Sequence, residues 1–215
     1  MSIKICTAIK NEQLYFDHWK KWHEDRGFEI TAYIDDCSEF GDYDCTNKYV
    51  TVSLPVWQKR QVGSMNEYLD AQQNDGNWTL FIDCDEYCWF SAEDVRQLTQ
   101  RRPDARMFKL WTVPYVADNP EYLERYSCEP VTERFTRMSA FNKWQEGKLL
   151  VKHIPGIQLQ SMHYATGAII ALQYSCIVRH YVTKSREEWA KRHPPGGPTS
   201  WKYAPDDFDK FNGLI

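Results

Sequence analysis

Trp78-Thr79-Leu80-Phe81-Ile82-Asp83-Cys84-Asp85-Glu86 is the stretch on which the reading of this 215-residue chain turns. A short, β-prone and largely apolar run reads as a buried strand, and carboxylates follow it without a spacer. The turn cluster Asn74-Asp75-Gly76-Asn77 precedes it. A strand that starts at a turn and delivers acids at its far end is the strand-to-loop exit of an α/β sheet.

The flanking sequence extends the same pattern. Residues 3–9 are apolar and β-prone and end at Lys10-Asn11-Glu12. Tyr15, Trp19 and Trp22 then recur at helical spacing until Gly27 stops the run. Residues 28–34 predict a second strand ending in Asp35-Asp36, and residues 49–54 a short third. Val62, Met65 and Leu69 mark one face of a helix over 58–73. After the acidic cluster, Ser91-Ala92-Glu93-Asp94 suits a helix start, and the helix runs to about residue 101. Strands over 107–113 and 174–181 and a helix over 185–192 complete the reading, before His193-Pro194-Pro195-Gly196-Gly197-Pro198 breaks it. This β-α-β-β-α-β-α order predicts an α/β fold: a central, mostly parallel sheet with flanking helices. Residues 1–193 are expected to form a single domain and 194–215 a tail, or a linker to further domains. Such sheets bind ligands at the carboxyl ends of their strands, where Asp35-Asp36 and Asp83-Cys84-Asp85 both fall.

Composition bounds the function. The 26 Lys and Arg face 30 Asp and Glu, a formal net charge of −4, which argues against a nucleic-acid binder held by phosphate contacts. The charge is uneven: residues 141–202 hold nine Lys and Arg against three Asp and Glu, and residues 1–140 hold 16 against 24. An acidic body and a basic C-terminal third could hold a cation and an anion; a solvated surface of uneven charge is the plainer reading. Seven cysteines, Cys6, Cys37, Cys45, Cys84, Cys88, Cys128 and Cys176, lack any C-x-x-C pair and read as reduced thiols of a cytoplasmic protein. The N-terminal run shows no signal-peptide pattern, and no apolar stretch is long enough to predict a transmembrane segment.

Two carboxylates one residue apart on a strand exit can approach one hard cation. Mg²⁺ or Mn²⁺ takes one or two protein carboxylates and keeps positions for water and substrate phosphates. Downstream, His180 closes the last predicted strand and could add a nitrogen ligand. Lys184, Ser185 and Arg186 open the helix after it, a setting that favours phosphate.

With these residues in order, the chain resembles a known family. Lys10-Asn11-Glu12, Trp19 with His23 and Gly27, Tyr33-Ile34-Asp35-Asp36-Cys37-Ser38, Trp78 through Asp83-Cys84-Asp85-Glu86-Tyr87, and His180-Tyr181-x-x-Lys184-Ser185 resemble the motif series of GT-A-fold glycosyltransferases similar to family 2, in the branch related to family 92. The chain also resembles compact glycosyltransferases of large algal viruses. The resemblance covers roughly residues 5–190. It implies a metal-dependent enzyme that moves a sugar from a nucleotide-diphosphate donor, a UDP-sugar, to a glycan hydroxyl. Thr7, Ala8, Lys10, Asn11 and Glu12 would then line the nucleotide pocket, and Asp35 or Asp36 would meet base or ribose. Asp83 would contact ribose or a metal-bound water, Asp85 would ligate Mn²⁺ (or Mg²⁺), His180 would complete the cation site, and Lys184 would face the pyrophosphate. His18, Arg179 and Tyr87 depart from the family's usual residues.

No catalytic base is assigned. Glu121, Glu124, Glu129 and Glu133 lie in the irregular middle segment where an acceptor would sit. Trp111 and Tyr115 could stack on a sugar, and His163 matches a region that carries a histidine in relatives. Two other readings compete. A haloacid-dehalogenase-type phosphatase also uses D-x-D after a strand, but wants Thr or Val where Tyr87 stands and places the motif on its first strand. A non-catalytic nucleotide- or glycan-binding module would keep the fold without turnover.

Overall fold

The strand β1 (Ile3–Ile9) is buried along almost its whole length, as expected of a strand covered on both faces. Its parallel partners are β2 (Glu29–Asp35), with Ile5 opposite Ile30 and Ile9 opposite Ile34, and β4 (Trp78–Phe81), with Ile3 opposite Trp78 and Cys6 opposite Phe81. β3 (Asn47–Thr51) adds to the outer side of β2, also parallel. α1 (Gln13–Glu24) makes the crossover from β1 to β2, and α2 (Trp57–Ala71) leads from β3 into β4. The computed structural model describes residues 1–9, 12–35, 47–51, 57–72, 75–117, 121, 130–139, 147–167, 170–181, 185–192 and 207–212.

Beyond β4 the direction changes. β5 (Glu86–Cys88), α3 (Ala92–Arg101), β6 (Met107–Val116), β7 (Arg137–Met138), β8 (Lys148–Lys152) and β11 (Ile170–His180) follow, with β9 (Gln158–Leu159) and β10 (Ala165–Thr166) as a separate antiparallel pair. The main sheet runs β3-β2-β1-β4-β8-β6-β11-β5, with β7 on β6. β8 enters antiparallel to both β4 and β6, Leu150 lying opposite Leu80 and Phe108. The early strands are thus parallel, as the sequence predicts, and β8 is the element that converts the sheet to a mixed one. α3 starts on a reciprocal capping box: Ser91 Oγ accepts the Asp94 N–H at 3.2 Å and Asp94 Oδ2 accepts the Ser91 N–H at 2.7 Å.

The chain divides into two units, residues Met1–Thr112 with Glu146–Val178, and Val113–Gln145 with Arg179–Ile215. In the first, Cys6, Ala8, Met65, Phe81, Met107, Leu149 and Val151 share one buried cluster between the sheet and α2. In the second, Tyr181 is fully buried, with the Phe135 ring edge-on to it at 6.2 Å and Tyr115 at 5.9 Å. There α4 (Val131–Arg134), α5 (Arg186–Arg192) and α6 (Asp207–Asn212) follow among the described residues. α6 falls in the segment expected to be a tail: Phe208 is buried, packs on Trp189 at 5.7 Å, and Asp209 pairs with Arg186 at 2.9 Å.

Candidate functional site

Asp83, Cys84, Asp85 and Glu86 form a tight turn between β4 and β5. The Glu86 N–H donates to the Asp83 carbonyl at 3.0 Å, and the Asp83 N–H donates back to Glu86 Oε2 at 2.9 Å. The acidic motif therefore closes on itself, and its last carboxylate braces its first backbone group.

Helix α1 holds this turn from behind. Trp19 Nε1 donates to the Glu86 carbonyl at 2.7 Å and Trp22 Nε1 to the Cys88 carbonyl at 2.8 Å. The Cys88 N–H donates to His23 Nε2 at 3.1 Å, so Nδ1 carries the proton it donates to the Trp19 carbonyl at 2.8 Å. Complete burial pushes the His23 pKa down to about 3, against the backbone hydrogen bond that raises it, and Arg26 and His18 lower it further. Trp19, Trp22 and His23, at i, i+3 and i+4, thus face the main chain of one short strand. The W-x-x-x-H spacing has a mechanical meaning: it grips the strand that follows the acids.

The carboxylates differ in their surroundings. Asp83 is one-third exposed; its Oδ1 accepts from Gln61 Nε2 at 2.6 Å and its Oδ2 from Lys148 Nζ at 2.6 Å. Lys148 is almost wholly buried and also pairs with Glu86 Oε2 at 3.0 Å. Burial alone would lower the Lys148 pKa, but Asp83 and Glu86 outweigh it and hold the ammonium above the ordinary lysine range. Asp85, in the middle of the turn, is 6% exposed. Thr7 Oγ1 lies 3.8 Å from Cys84 Sγ, which joins β1 to the same turn.

Thr7, Asp83 and Asp85 are thus brought together at the carboxyl edge of β1 and β4. Ala8 is buried in the core cluster, and Asp35 ends β2 at the same edge of the sheet. Glu12 is the residue before α1, its carbonyl accepting the N–H groups of Tyr15 and Phe16 at 3.0 Å. Lys10, Asn11, Asp36 and Lys184 lie outside the described residues, as do Glu124 and Glu129. His180 ends β11 in the second unit, half-buried, beside Arg179, whose guanidinium covers the Tyr115 ring at 4.2 Å. His163 Nδ1 meets the Gly147 carbonyl at 3.3 Å, and Trp111 and Tyr164 are exposed.

Gln61 and Lys148 are the site residues that sequence reasoning misses, and Glu86, read there only as part of the acidic cluster, is here the brace of the turn. Lys148 opens an apolar run, Lys148-Leu149-Leu150-Val151; a lysine at the mouth of a buried strand needs a carboxylate partner, and that is the available signal.

Among the described residues no group of three His, Cys, Asp or Glu side chains is arranged to hold a metal ion. A cation here would rest on few protein ligands and complete its shell from phosphate and water, the habit of Mg²⁺-type sites. Asp85 fits that demand by residue type and position. Both oxygens of Asp83 already accept hydrogen bonds from the protein.

No protein-family model matches the chain, and no curated protein does. Among solved structures, Staphylococcus aureus TarS residues 1–349 aligns over 99% of this chain and 69% of its own, at 10% identity and a TM-score of 0.50. The full TarS structure aligns over 98% of this chain at 11% identity and a TM-score of 0.47; the chain spans 42% of that protein's length. A TarS 1–349 complex with UDP-GlcNAc aligns over 59% of this chain at 16% identity and a TM-score of 0.37. The first likeness shows the fold: an α/β, GT-A-type glycosyltransferase fold.

Proposed function

We propose that this chain is a nucleotide-sugar-dependent glycosyltransferase that transfers a hexose from a UDP-sugar to a glycan hydroxyl with the help of a divalent cation. The observation that carries the reading is the Asp83–Glu86 turn. It has three carboxylates, Asp83, Asp85 and Glu86, at the carboxyl end of a central strand in a GT-A-type fold, where open α/β sheets take their ligands. The motif series running from Lys10 to Ser185 supports the same class.

Departure of a nucleoside diphosphate leaves negative charge that something must stabilise. Asp85 would hold Mn²⁺ or Mg²⁺, with His180 proposed as a further ligand, and the cation supplies Lewis-acid stabilisation of that charge. The chain's own groups bind and orient. Thr7, Ala8, Lys10, Asn11, Glu12 and Asp35 or Asp36 are proposed to line the nucleotide, and Lys184 to face its phosphates. Asp83, fixed by Gln61 and Lys148, presents an oriented acceptor to a donor hydroxyl. α1 holds the turn rigid through Trp19, Trp22 and His23, so the carboxylates need no reorganisation when substrate arrives.

A panel of nucleotide sugars with Mn²⁺, followed by thermal shift and by release of nucleoside diphosphate, tests the reading. The expected outcome is stabilisation by UDP and slow hydrolysis of one UDP-sugar. Nucleotide binding with no turnover of any donor, with or without candidate glycan acceptors, would instead indicate a binding module.

A further inference from the structure

Two cations face each other across β6 and β8, at the end of the sheet remote from the acidic turn. The geometry points to an anion-binding site there, built on Arg106 and Lys152, that takes the phosphate of a small phosphomonoester. Lys152 stands opposite Trp78, the first residue of β4, whereas Asp83 follows that strand's last residue. The site is therefore separate from the candidate donor site and stands without the donor-site reading.

Register comes first. Met107 lies opposite Val151, and the Lys152 N–H donates to the Arg106 carbonyl at 3.0 Å, so Arg106 and Lys152 are the next facing pair. Facing side chains of an antiparallel pair leave the same side of the sheet, and like charges so placed repel. Charge balance comes second. Among the described residues neither cation has a carboxylate partner. Asp104, the acid nearest in the chain, is exposed and already engaged: it accepts from Arg102 Nε at 3.3 Å and Nη2 at 3.4 Å. Those Arg102 hydrogen bonds hold the Asp104 carboxyl below the ordinary carboxylate range. Shape comes third. Arg106 and Lys152 line one cavity of about 470 Å³, walled also by Pro103, Asp104, Ala105, Ile154 and Pro155. Both prolines have a fixed φ, and the Ile154 N–H is tied to the Lys152 carbonyl at 2.9 Å, so the wall is largely formed before a ligand arrives.

An anion seated between the two side chains turns their repulsion into two attractions. Arg106 offers a planar fork to two oxygens of one phosphate, and Lys152 adds a point charge. Two positive charges match a phosphomonoester, which carries about −1.5 to −2 near pH 7, better than they match the single charge of a carboxylate. The cavity falls within the size range of small-molecule pockets, about 300–1,000 Å³, and so has room for more than the phosphate. Its proline, alanine and isoleucine surface suits the organic body that a phosphomonoester carries.

The test is a titration of the isotope-labelled full chain with phenyl phosphate at low, constant ionic strength, followed by amide chemical shifts. Saturable shifts are expected at Ala105, Arg106, Lys152 and Ile154. Inorganic phosphate should move the same amides but bind more weakly, because it lacks the organic body. Arg106→Gln/Lys152→Gln should lower the affinity for phenyl phosphate about tenfold or more, the loss expected when two charge-assisted contacts go. Should the double variant not fold, Arg106→Gln alone should lower it about threefold or more, since that side chain is exposed and supplies the fork. Shifts that are absent, that do not saturate, or that centre on Thr7 and the Asp83–Glu86 turn would overturn the site, as would wild-type affinity in the folded variant. Inorganic phosphate binding as tightly as phenyl phosphate, or phenol binding these amides equally well, would overturn the ligand class.

Discussion

Trp19 and His23 show how much of the site depends on single side chains outside it. The indole of Trp19 is fully buried and donates its N–H to the Glu86 carbonyl, at the end of the acidic turn. Trp19→Phe keeps most of the apolar volume but leaves that carbonyl without its donor, a loss of about 1–3 kcal/mol in urea unfolding. The same variant should also weaken Mn²⁺·UDP binding, since the turn is held through that carbonyl; calorimetry on the folded variant checks it, and unchanged affinity would show that the grip matters to stability alone. At this scale the sequence is partly legible. Thr7 enters only through the family resemblance, while Asp83 and Asp85 can be singled out because their types and spacing announce their chemistry. Gln61 cannot, and Lys148 announces only that it needs some carboxylate, because each reaches Asp83 across more than twenty residues of chain.

Among the elements, α3 and β8 illustrate two kinds of legibility. The start of α3 follows from Ser91 and Asp94 alone, and Ser91→Ala should cost about 1 kcal/mol, read as a lower urea midpoint with unchanged slope. The parallel strands β1, β2 and β4 are likewise readable, because apolar runs alternate with helical spacing. β5 is not: Glu86–Cys88 is three residues long and reads as loop, and it becomes a strand through β11 and the α1 side chains. β8 is hidden for a related reason, since its place between β4 and β6 is set by long-range register. Gly147 marks that register physically. Gly147→Ala forces a methyl into the Leu110 carbonyl, so β8 must shift, with an expected loss of about 1–3 kcal/mol in denaturant unfolding.

Across the whole molecule, the opposed charges of the acidic body and basic C-terminal third acquire a concrete junction in the Asp83–Lys148–Glu86 bridge. No helix among the described residues is long and apolar enough to cross a membrane. Stability should depend on pH through two buried histidines. His23 is held neutral by burial, down to about pH 3, and His153, which bridges Asp75 Oδ1 and Thr79 Oγ1 at 2.6 Å each, is also lowered by burial against the raising effect of Asp75. Both bind a proton more readily unfolded, near pH 6.5, than folded. Their contribution is complete above that value and declines as pH falls, by about 1.4 kcal/mol per unit for each fully titrating histidine. Urea midpoints should therefore fall between pH 6.5 and 5, a window in which ordinary carboxylates stay ionised; a flat profile would contradict the assignment. The central claim, a cation-assisted nucleotide-sugar site on the Asp83–Glu86 turn, is tested most directly by calorimetric titration of UDP into wild type and Asp85→Ala, with and without Mn²⁺. The expected result is UDP binding that strengthens at least about tenfold with Mn²⁺ in wild type, with that gain lost in Asp85→Ala. Equal Mn²⁺-dependent affinity in the two proteins, or no UDP binding by wild type, would contradict it.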